Sequence, residues 1–343
     1  MQTTQAGIDI AKSVFEVALS ETPGTVRERH RLSRERFRRF FSKHEATLVL
    51  MEACGSAHYW GRELQAMGHE VRLLHPGDVA RYRDGNKTDR ADAKAVLEAA
   101  RNAALDPVPV KTRDQQAIAA LHRMRQGYLQ TRTARINAVR GHLREFGIVI
   151  PTGARHVVPR AESALSTADV PEVLRRALID LLAEIEELQA KAEHLRSELE
   201  QLARTMPEAG VLMSVPGIGV LTATALVAFV GDLNRFRSGR DLAAYLGLTP
   251  REHSSGHTRR LGRITKRGNS YVRMMLIHGA RSALRAGSMT DAPDDLRAWA
   301  LSIARRRGFN VAAVALANKL ARVCWRVWRD QRPFERREVA SPA

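Results

Sequence analysis

The chain of 343 residues is long enough for two or three domains, and its 44% of hydrophobic residues argues against wholesale disorder. Its 55 Lys and Arg exceed its 37 Asp and Glu, which gives a formal net charge of +18. Such an excess favours a polyanionic partner, because cations that neutralise phosphates release condensed counterions. A basic membrane-surface protein would need aromatic anchors or a lipidation motif, and aromatic residues are only 5% of the chain. Nucleic acid is therefore the expected partner, and no membrane partner is expected.

Targeting features and cysteine content favour an intracellular setting. No charged region followed by an apolar stretch opens the chain, and the longest apolar run, 219–231, is too short to span a bilayer. The two cysteines, Cys54 and Cys324, are too few for a disulfide framework or a zinc knuckle. We expect a cytoplasmic, nucleoid-associated protein of a prokaryote.

Strands and helices alternate over residues 1–108, which predicts an α/β domain. Residues 6–19 are dense in β-branched and apolar residues, as in a strand, and residues 25–33 alternate as a paired strand would. The continuous apolar run 46–54 is typical of a central buried strand. The predicted elements are strands at 6–19, 25–33, 46–54 and 69–74 and a helix at 57–67.

Residues 109–160 form a basic helical segment followed by a connector. Between Lys111 and Arg144 there are eight Lys or Arg and one acid, Asp114. This pattern predicts a strongly basic helix, or a helix pair broken near Gly127, with a Gly- and Pro-containing connector over 147–160. Few aromatics are present to stack unpaired bases, so contacts to a nucleic-acid backbone are expected. The expected contact residues are Arg123, Arg125, Arg132, Arg135, Arg140 and Arg144.

A coiled coil is predicted over residues 161–206. Nine apolar positions follow one another at spacings of four and three residues, with charged residues between them. The alternative is a single amphipathic helix packed on its own domain. Whether a partner helix lies in the same chain or in another protomer is open at this point. The positions are Leu174, Leu178, Leu181, Ile185, Leu188, Ala192, Leu195, Leu199 and Leu202.

A helical C-terminal domain is predicted over residues 207–332, with a tail over 333–343. The stretch "SVPGIGVLTATALVAFVGD" (214–232) resembles a helix-hairpin-helix element, in which a glycine turn offers backbone N–H groups to a phosphate. Gly217 and Gly219 would permit the tight turn and the close approach of the backbone. A purely structural hairpin is the alternative.

A second unusual stretch of this domain places serines among cations. Ser254 and Ser255 precede Gly256, and seven Lys or Arg lie between Arg251 and Arg273. A serine hydroxyl becomes a nucleophile only if its proton is removed and the developing charge is stabilised, so the surrounding arginines indicate attack on a phosphodiester. The alternative is a loop that binds phosphate without chemistry. The cations expected to neutralise nearby strands are Arg259, Arg260, Arg263, Lys266 and Arg267.

Four acids stand out in the basic N-terminal domain. Asp9 interrupts an apolar strand and Glu52 closes one, whereas Asp89 and Asp92 are three residues apart on a predicted helix, so their carboxylates point the same way. Hard divalent cations prefer such oxygen ligands, and two metals can activate a nucleophile in phosphodiester chemistry. An ion-pair helix, or a helix cap at Asp89, is the alternative for the last two acids. The order of the acids resembles that of the RuvC/RNase H-like nucleases, in which carboxylates at a sheet edge bind two Mg²⁺ ions.

Together these motifs resemble the insertion-sequence one-ten family of DEDD transposases, in the subgroup with the "SSG" signature. The resemblance rests on "GIDIAK", "MEACGSAHYW", "KTDRADAKAV", the 214–232 stretch and "FRSGRDLAAYLGLTPREHSSG", in that order over about 6–285. It implies a RuvC-like N-terminal domain, a coiled coil and a C-terminal transposase domain. It also implies that Asp9, Glu52, Asp89 and Asp92 bind Mg²⁺.

The same resemblance implies a nucleophile and partners. Ser255 would attack DNA and form a covalent phosphoserine link, with Ser254 as the competing candidate. Family members are directed by a structured non-coding bridge RNA that pairs with donor and target DNA. They assemble as dimers and tetramers, and the active site combines the acids of one protomer with the serine of another. Gly256-His257-Thr258 departs from the Gly-Gly-Lys of many relatives, which puts the loop contacts in question.

Two other functions compete with an RNA-guided recombinase. One is a RuvC-like hydrolytic nuclease that acts on branched DNA, with the serine loop only binding phosphate. The other is a non-catalytic nucleic-acid-binding protein. Cleavage that survives loss of the serine would favour the first alternative, and binding without cleavage would favour the second.

Overall fold

The computed structural model describes residues 4–22, 25–84, 86, 88–103, 105–256, 258–288 and 295–335. The chain divides into an N-terminal unit, Met1–Asp114, and a C-terminal unit, Gln115–Ala343. Most of the predicted tail, residues 336–343, lies outside the described residues. Among the helices that the structure describes, none combines the length and the hydropathy needed to cross a membrane.

A mixed five-stranded sheet forms the centre of the N-terminal unit, in the order β3-β2-β1-β4-β5. β1, β2 and β3 pair antiparallel, whereas β1, β4 and β5 run parallel to one another. The α/β class predicted from the alternating pattern is therefore confirmed for this unit. The strands are β1 (Gln5–Ile10), β2 (Val14–Ser20), β3 (Glu28–Ser33), β4 (Leu48–Glu52) and β5 (Glu70–Leu74).

The prediction of one strand over residues 6–19 was wrong, because this segment is the hairpin β1–β2. The exposed residues 11–13 form the turn, and Ile8 pairs with Val17 across it. Apolar side chains lie densely on both sides of a short turn, so the segment has the composition of one continuous strand. The correction matters because it places a second strand beside Asp9.

Helices cover both faces of this sheet. On one face α1 and α2 bury Phe37 and Trp60 against Phe15, with ring centroids 4.7 and 5.2 Å from that of Phe15. On the other face α4 packs on Leu50. α1 was not predicted, although Ser33 caps it and Phe37 and Phe41 lie one turn apart. The helices are α1 (Arg34–Ser42), α2 (Ala57–Ala66), α3 (Pro76–Val79) and α4 (Asp89–Ala100).

Two long helices begin the second part of the chain. α5 (Arg113–Arg144) continues through Gly127, so the basic segment is one helix and not a broken pair. α6 (Val157–Thr167) leads into α7 (Glu172–Arg204), whose 33 residues carry the predicted heptads.

Apolar residues of α7 share hydrophobic cores with α5 of the same chain. Two predicted heptad positions, Leu181 and Leu202, are less buried than the residues that follow them. Leu182 is more deeply buried than Leu181, and Ala203 is buried whereas Leu202 is 36% exposed. A straight α-helix has about 3.6 residues per turn, so its buried stripe drifts away from a strict heptad. The residues of this shared core are Ile136, Val139 and Leu143 of α5 and Leu178, Leu182 and Ile185 of α7.

The remaining helices bury one large core around α13. Leu316, Leu320 and Cys324 of α13 are fully buried, and burial raises the pKa of the Cys324 thiol to about 12. A short hairpin, β6–β7, projects the two serines. The elements are α8 (Pro207–Met213), α9 (Val220–Val230), α10 (Gly239–Tyr245), β6 (Pro250–Glu252), β7 (Leu261–Ile264), α11 (Ser270–Ser288), α12 (Asp295–Arg307) and α13 (Phe309–Asp330).

Candidate functional site

The sheet of the N-terminal unit directs Asp9 and Glu52 to one face. Ile8 of β1 pairs with Met51 of the parallel strand β4, and both side chains are buried in the core beneath α1 and α2. Successive side chains of a strand point to opposite faces. Asp9 and Glu52, each the next residue, therefore lie on the face that α4 covers, at the carboxyl ends of adjacent strands.

Gly7 allows α4 to approach this face closely. A Cβ atom at residue 7 would lie 2.5 Å from the carbonyl oxygen of Ala93 and 2.6 Å from Cγ of Leu97. No side chain could fit there without displacing the backbone of α4. Because α4 is held against β1 at this point, its first turn lies toward the end of β1 that carries Asp9.

The first turn of α4 carries the other two acids. Thr88 caps the helix, with its hydroxyl accepting a hydrogen bond from the backbone N–H of Ala91 at 3.2 Å. Asp89 and Asp92 follow the cap, where the N-terminal end of the helix dipole favours negative charge. Both of them are close enough to Asp9 to affect its titration.

The half-buried carboxyl of Asp9 is the electrostatic centre of this acidic cluster. Burial, followed by the negative charges of Asp89, Asp92, Glu52 and Glu16, raises the pKa of Asp9 to about 6. The structure thus brings the four predicted acids together. It adds Glu16, which faces Asp9 directly across the β1–β2 hairpin. The sequence would have indicated Glu16 only if the turn at residues 11–13 had been located.

One arginine partly balances this negative charge. Arg83 donates a short hydrogen bond from Nε to Oδ1 of Asp92, and both side chains are largely buried. Among the described residues, no three His, Cys, Asp or Glu side chains are grouped in a way that could already hold a metal ion. The donor set nevertheless fits Mg²⁺, because it offers carboxylate oxygens and a crowded negative charge that a divalent cation would offset.

The serines lie on the exposed hairpin between β6 and β7. The backbone N–H of Ser255 donates to the carbonyl of Thr258 at 3.2 Å, and the N–H of Thr258 donates back at 3.1 Å. Gly256 has a φ of +54° in this tight turn. His257, part of the departure from the family pattern, lies outside the described residues.

At the base of the hairpin, Arg273 Nη1 donates to the carbonyls of Leu246 and Arg267 at 3.0 and 2.7 Å.

The two adjacent serines differ in their hydrogen bonding. Ser254 Oγ donates to Glu252 Oε1 at 2.8 Å and accepts from the N–H of Arg260 at 3.2 Å. The hydrogen bond from Ser254, more than the charge of Arg259, lowers the pKa of Glu252. Ser255 Oγ is exposed and makes no hydrogen bond to any residue that the structure describes. Ser254 therefore braces the hairpin, whereas the Ser255 hydroxyl is available.

The predicted cations of the hairpin are exposed. Arg259 Nε lies 3.3 Å from Glu252 Oε1, so part of its charge is neutralised within the hairpin. The other four cations are exposed on β7 and on the segments that flank it. They are Arg260, Arg263, Lys266 and Arg267.

The glycine turn before α9 has a packing role. Gly217 has a φ of +85°, and a Cβ there would lie 2.5 Å from the carbonyl oxygen of Gly279 in α11. The turn can approach α11 only because both residues lack side chains. Gly219 is exposed, and a Cβ there would meet no heavy atom of the described chain within 4 Å. Contacts of these two glycines with nucleic acid stay a prediction.

Intramolecular partners occupy several of the α5 arginines. Arg135 Nε lies 2.6 Å from Glu184 Oε2, and Arg140 donates to the carbonyls of Pro151 and Gly153 at 2.7 and 3.1 Å. Such contacts hold α5 against α7 and the connector, a role that the sequence could not indicate without the fold. The other members of the set are Arg132, bonded to Gln189, Arg125, beside Tyr271, and the exposed Arg123 and Arg144. Nucleic-acid binding by the whole set stays a prediction.

Two family models match the chain. Residues 6–148 match a model of IS110-type DEDD transposases. Residues 209–293 match the model described as transposase IS116/IS110/IS902 family. The matched segments contain the acidic cluster and the serine hairpin, respectively.

Curated relatives cover nearly the whole chain. A "probable family 20 transposase" of Pseudomonas aeruginosa is 42% identical over 329 residues, 95% of this chain and 96% of the relative. The transposase for insertion sequence element IS1111A of Coxiella burnetii is 36% identical over 96% of this chain and 90% of its own length. The transposase for insertion sequence element IS1328 of Yersinia enterocolitica is 34% identical, with coverage of 94% and 96%.

Proposed function

The chain belongs to the IS110/IS116/IS902 family of insertion-sequence transposases, and on that premise we propose a specific chemistry for it. Ser255 is the nucleophile that breaks the DNA backbone. Asp9, Glu52, Asp89 and Asp92 are the ligands of a Mg²⁺ site. The single observation that supports the choice of nucleophile most strongly is the free, exposed hydroxyl of Ser255 beside the engaged hydroxyl of Ser254.

The serine step is a transesterification. Ser255 Oγ gives up its proton and forms a bond to phosphorus while one P–O bond of the DNA backbone breaks, and the displaced strand end takes up a proton and leaves as a hydroxyl. One strand end is then stored as a phosphoserine ester, whose bond energy is retained for rejoining. Arg260, Arg263 and Lys266 lie exposed around the hairpin and are suited to hold the phosphate oxygens.

The acidic cluster supplies the other half of the site. Mg²⁺, when bound by these carboxylates, would offset their mutual repulsion and add positive charge beside the scissile phosphate. Arg83 holds Asp92 in place within this cluster. Asp9 carries a proton more readily than an ordinary carboxyl, so its availability as a ligand increases as the pH rises through about 6.

We assign the choice of DNA to a structured guide RNA that pairs with donor and target DNA, as the family resemblance implies. The net charge of +18 supports simultaneous binding of more than one polyanion. We further propose that homodimers and homotetramers form the active assembly, in which the acids of one protomer serve the serine of another. Cytoplasmic action at the nucleoid follows from these partners.

A denaturing protein gel tests the nucleophile. The protein is incubated with Mg²⁺, labelled DNA carrying the element ends and the RNA transcribed from the element. Wild-type protein is expected to carry label as a covalent adduct, and Ser255→Ala is expected to carry none.

Ser254→Ala is the matched control, since it removes the same atom from the adjacent residue. This variant loses the hydrogen bonds to Glu252 and Arg260, so it is expected to form the adduct more slowly but still to form it. DNA cleavage that persists in Ser255→Ala would instead assign the protein to the hydrolytic nucleases. Loss of adduct in Ser254→Ala alone would make Ser254 the nucleophile.

A further inference from the structure

A wide groove lies beside the serine hairpin in the C-terminal unit. Its volume is about 1240 Å³, and pockets for single small molecules are usually about 300–1,000 Å³. Its lining includes Pro250 at the start of β6 and residues of β7, α11, α12 and α13. The groove is therefore large enough for a short segment of polymer, and it adjoins the element that carries Ser255.

The charged residues of the groove are all of one sign. Six cations line it, and none of the described lining residues is Asp or Glu. Arg281 is held by a hydrogen bond from Nη2 to Oδ1 of Asn310 at 3.1 Å, so its guanidinium is positioned. The six cations are Arg263, Lys266, Arg281, Arg307, Lys319 and Arg322. Such a set favours an anionic occupant with several charges.

The same groove also presents apolar and aromatic surface. Leu261 on the hairpin is 50% exposed, and Val311 on α13 is 46% exposed. Trp299 of α12 is 37% exposed, and the ammonium of Lys319 lies 4.4 Å from the centre of its ring. An exposed indole beside a cation offers stacking surface and charge to the same ligand.

We propose that this groove binds unpaired nucleotides of a single strand. The bases pack on Trp299 and on the apolar wall of Leu261 and Val311, and the phosphates contact Lys319, Arg322 and the other cations. A duplex presents mainly phosphates on its outside and would leave the apolar wall unused. Binding of a single strand in the groove does not depend on the proposed function of Ser255. Delivery of that strand to the scissile phosphate does rest on that proposed function.

Fluorescence anisotropy in EDTA, where no metal-dependent chemistry occurs, measures this binding. The probes are a fluorescein-labelled twelve-nucleotide oligothymidine and a labelled duplex of the same length. Trp299→Ala is expected to weaken oligothymidine binding by about tenfold, because stacking of one base is worth roughly 1–3 kcal/mol. Trp299→Phe is expected to recover most of the loss, and this variant also guards against a simple folding defect.

Charge variants test the second half of the proposal. Lys319→Gln is expected to reduce the slope of log affinity against log salt by about 0.7, the value for one phosphate contact with a single strand. Arg176→Gln is the matched control, since Arg176 is an exposed arginine of α7 that is distant in sequence from the groove. It is expected to leave oligothymidine affinity within about twofold of wild type.

Three results would overturn the proposal. The first is unchanged oligothymidine affinity in a folded Trp299→Ala variant. The second is an equal loss of affinity for duplex and single strand in that variant. The third is a change in its oligomeric mass without a change in its oligothymidine affinity. The last would mean that the groove binds another protein surface. Binding in EDTA requires no covalent step, so absence of the adduct from wild-type protein would refute the nucleophile and leave the groove standing.

Discussion

Replacement of Asp9 by asparagine is expected to stabilise the metal-free protein. Asp9 is half-buried, and burial together with four neighbouring acids raises its pKa from the ordinary 3.8 to about 6. The folded state therefore binds the proton more tightly than the unfolded chain does. Above pH 6 the charge of Asp9 destabilises the folded state, and this destabilisation disappears as the pH falls from about 6 to below 3.8.

The size of the effect follows from the shift. About two pKa units correspond to roughly 3 kcal/mol, at about 1.36 kcal/mol per unit. Because Asp9 is half exposed, screening by solvent reduces this to about 1–2 kcal/mol. Asparagine has nearly the shape of the carboxyl and no charge, so Asp9→Asn should raise the free energy of unfolding by about that amount at pH 8.

Urea denaturation in EDTA at pH 8 measures the free energy of unfolding. Monitoring it by hydrogen exchange in peptides of β1 and β4 reports on the N-terminal unit separately. Asp106→Asn, at an exposed position of the same unit, is the matched control and is expected to change little. Mg²⁺ should stabilise the wild type by about 1.4 kcal/mol at ten times its dissociation constant and should stabilise Asp9→Asn much less. A destabilised Asp9→Asn in EDTA would refute the view that the acids repel one another across this site.

Two further predictions concern the C-terminal unit. Leu178→Asp on α7 should destabilise this unit by at least about 3 kcal/mol, because Leu178 is fully buried in the core that α7 shares with α5. Ile179→Asp, at a position 52% exposed, should be nearly neutral. Thermal denaturation compares the two variants, and equal effects would mean that this face of α7 is covered differently. His122 is fully buried between Tyr271 and Thr224, each at 3.0 Å, and burial lowers its pKa to about 4. Neutral His122 therefore contributes stability above its ordinary pKa of 6.5, and up to about 3 kcal/mol of this stability is lost as the pH falls toward 4. The free energy of unfolding of wild type and His122→Gln, measured against pH, checks this. Parallel curves for the two proteins would contradict it.

Strand position was the most accurate guide to the acidic cluster. The apolar run before Glu52 predicted a buried strand, and a charged residue at its end belongs at a sheet edge. The sequence could not locate the turn after Ile10, since apolar residues flank it on both sides. For that reason Glu16, which faces Asp9 across the hairpin, was missed.

Contacts between distant residues account for what the sequence left open. Ser254 and Ser255 have the same side chain and nearly the same neighbours, and only the fold of the hairpin gives Ser254 its partners. The arginines of α5 form a uniform basic series in sequence. Glu184 and the carbonyls of the connector, 11 to 49 residues away, turn Arg135 and Arg140 into braces between elements. Residue type predicted the charge of these side chains but not their partners.

Mass spectrometry of the covalent adduct tests the central claim most directly. Trypsin cleaves after Arg251 and Arg259, so the peptide 252–259 contains both serines and no other cleavage site. After nuclease digestion of the bound DNA, a phosphate-linked nucleotide is expected on Ser255 of that peptide, dependent on Mg²⁺ and absent from Asp9→Asn. A nucleotide attached to Ser254, or cut DNA with no adduct on the peptide, would contradict the account.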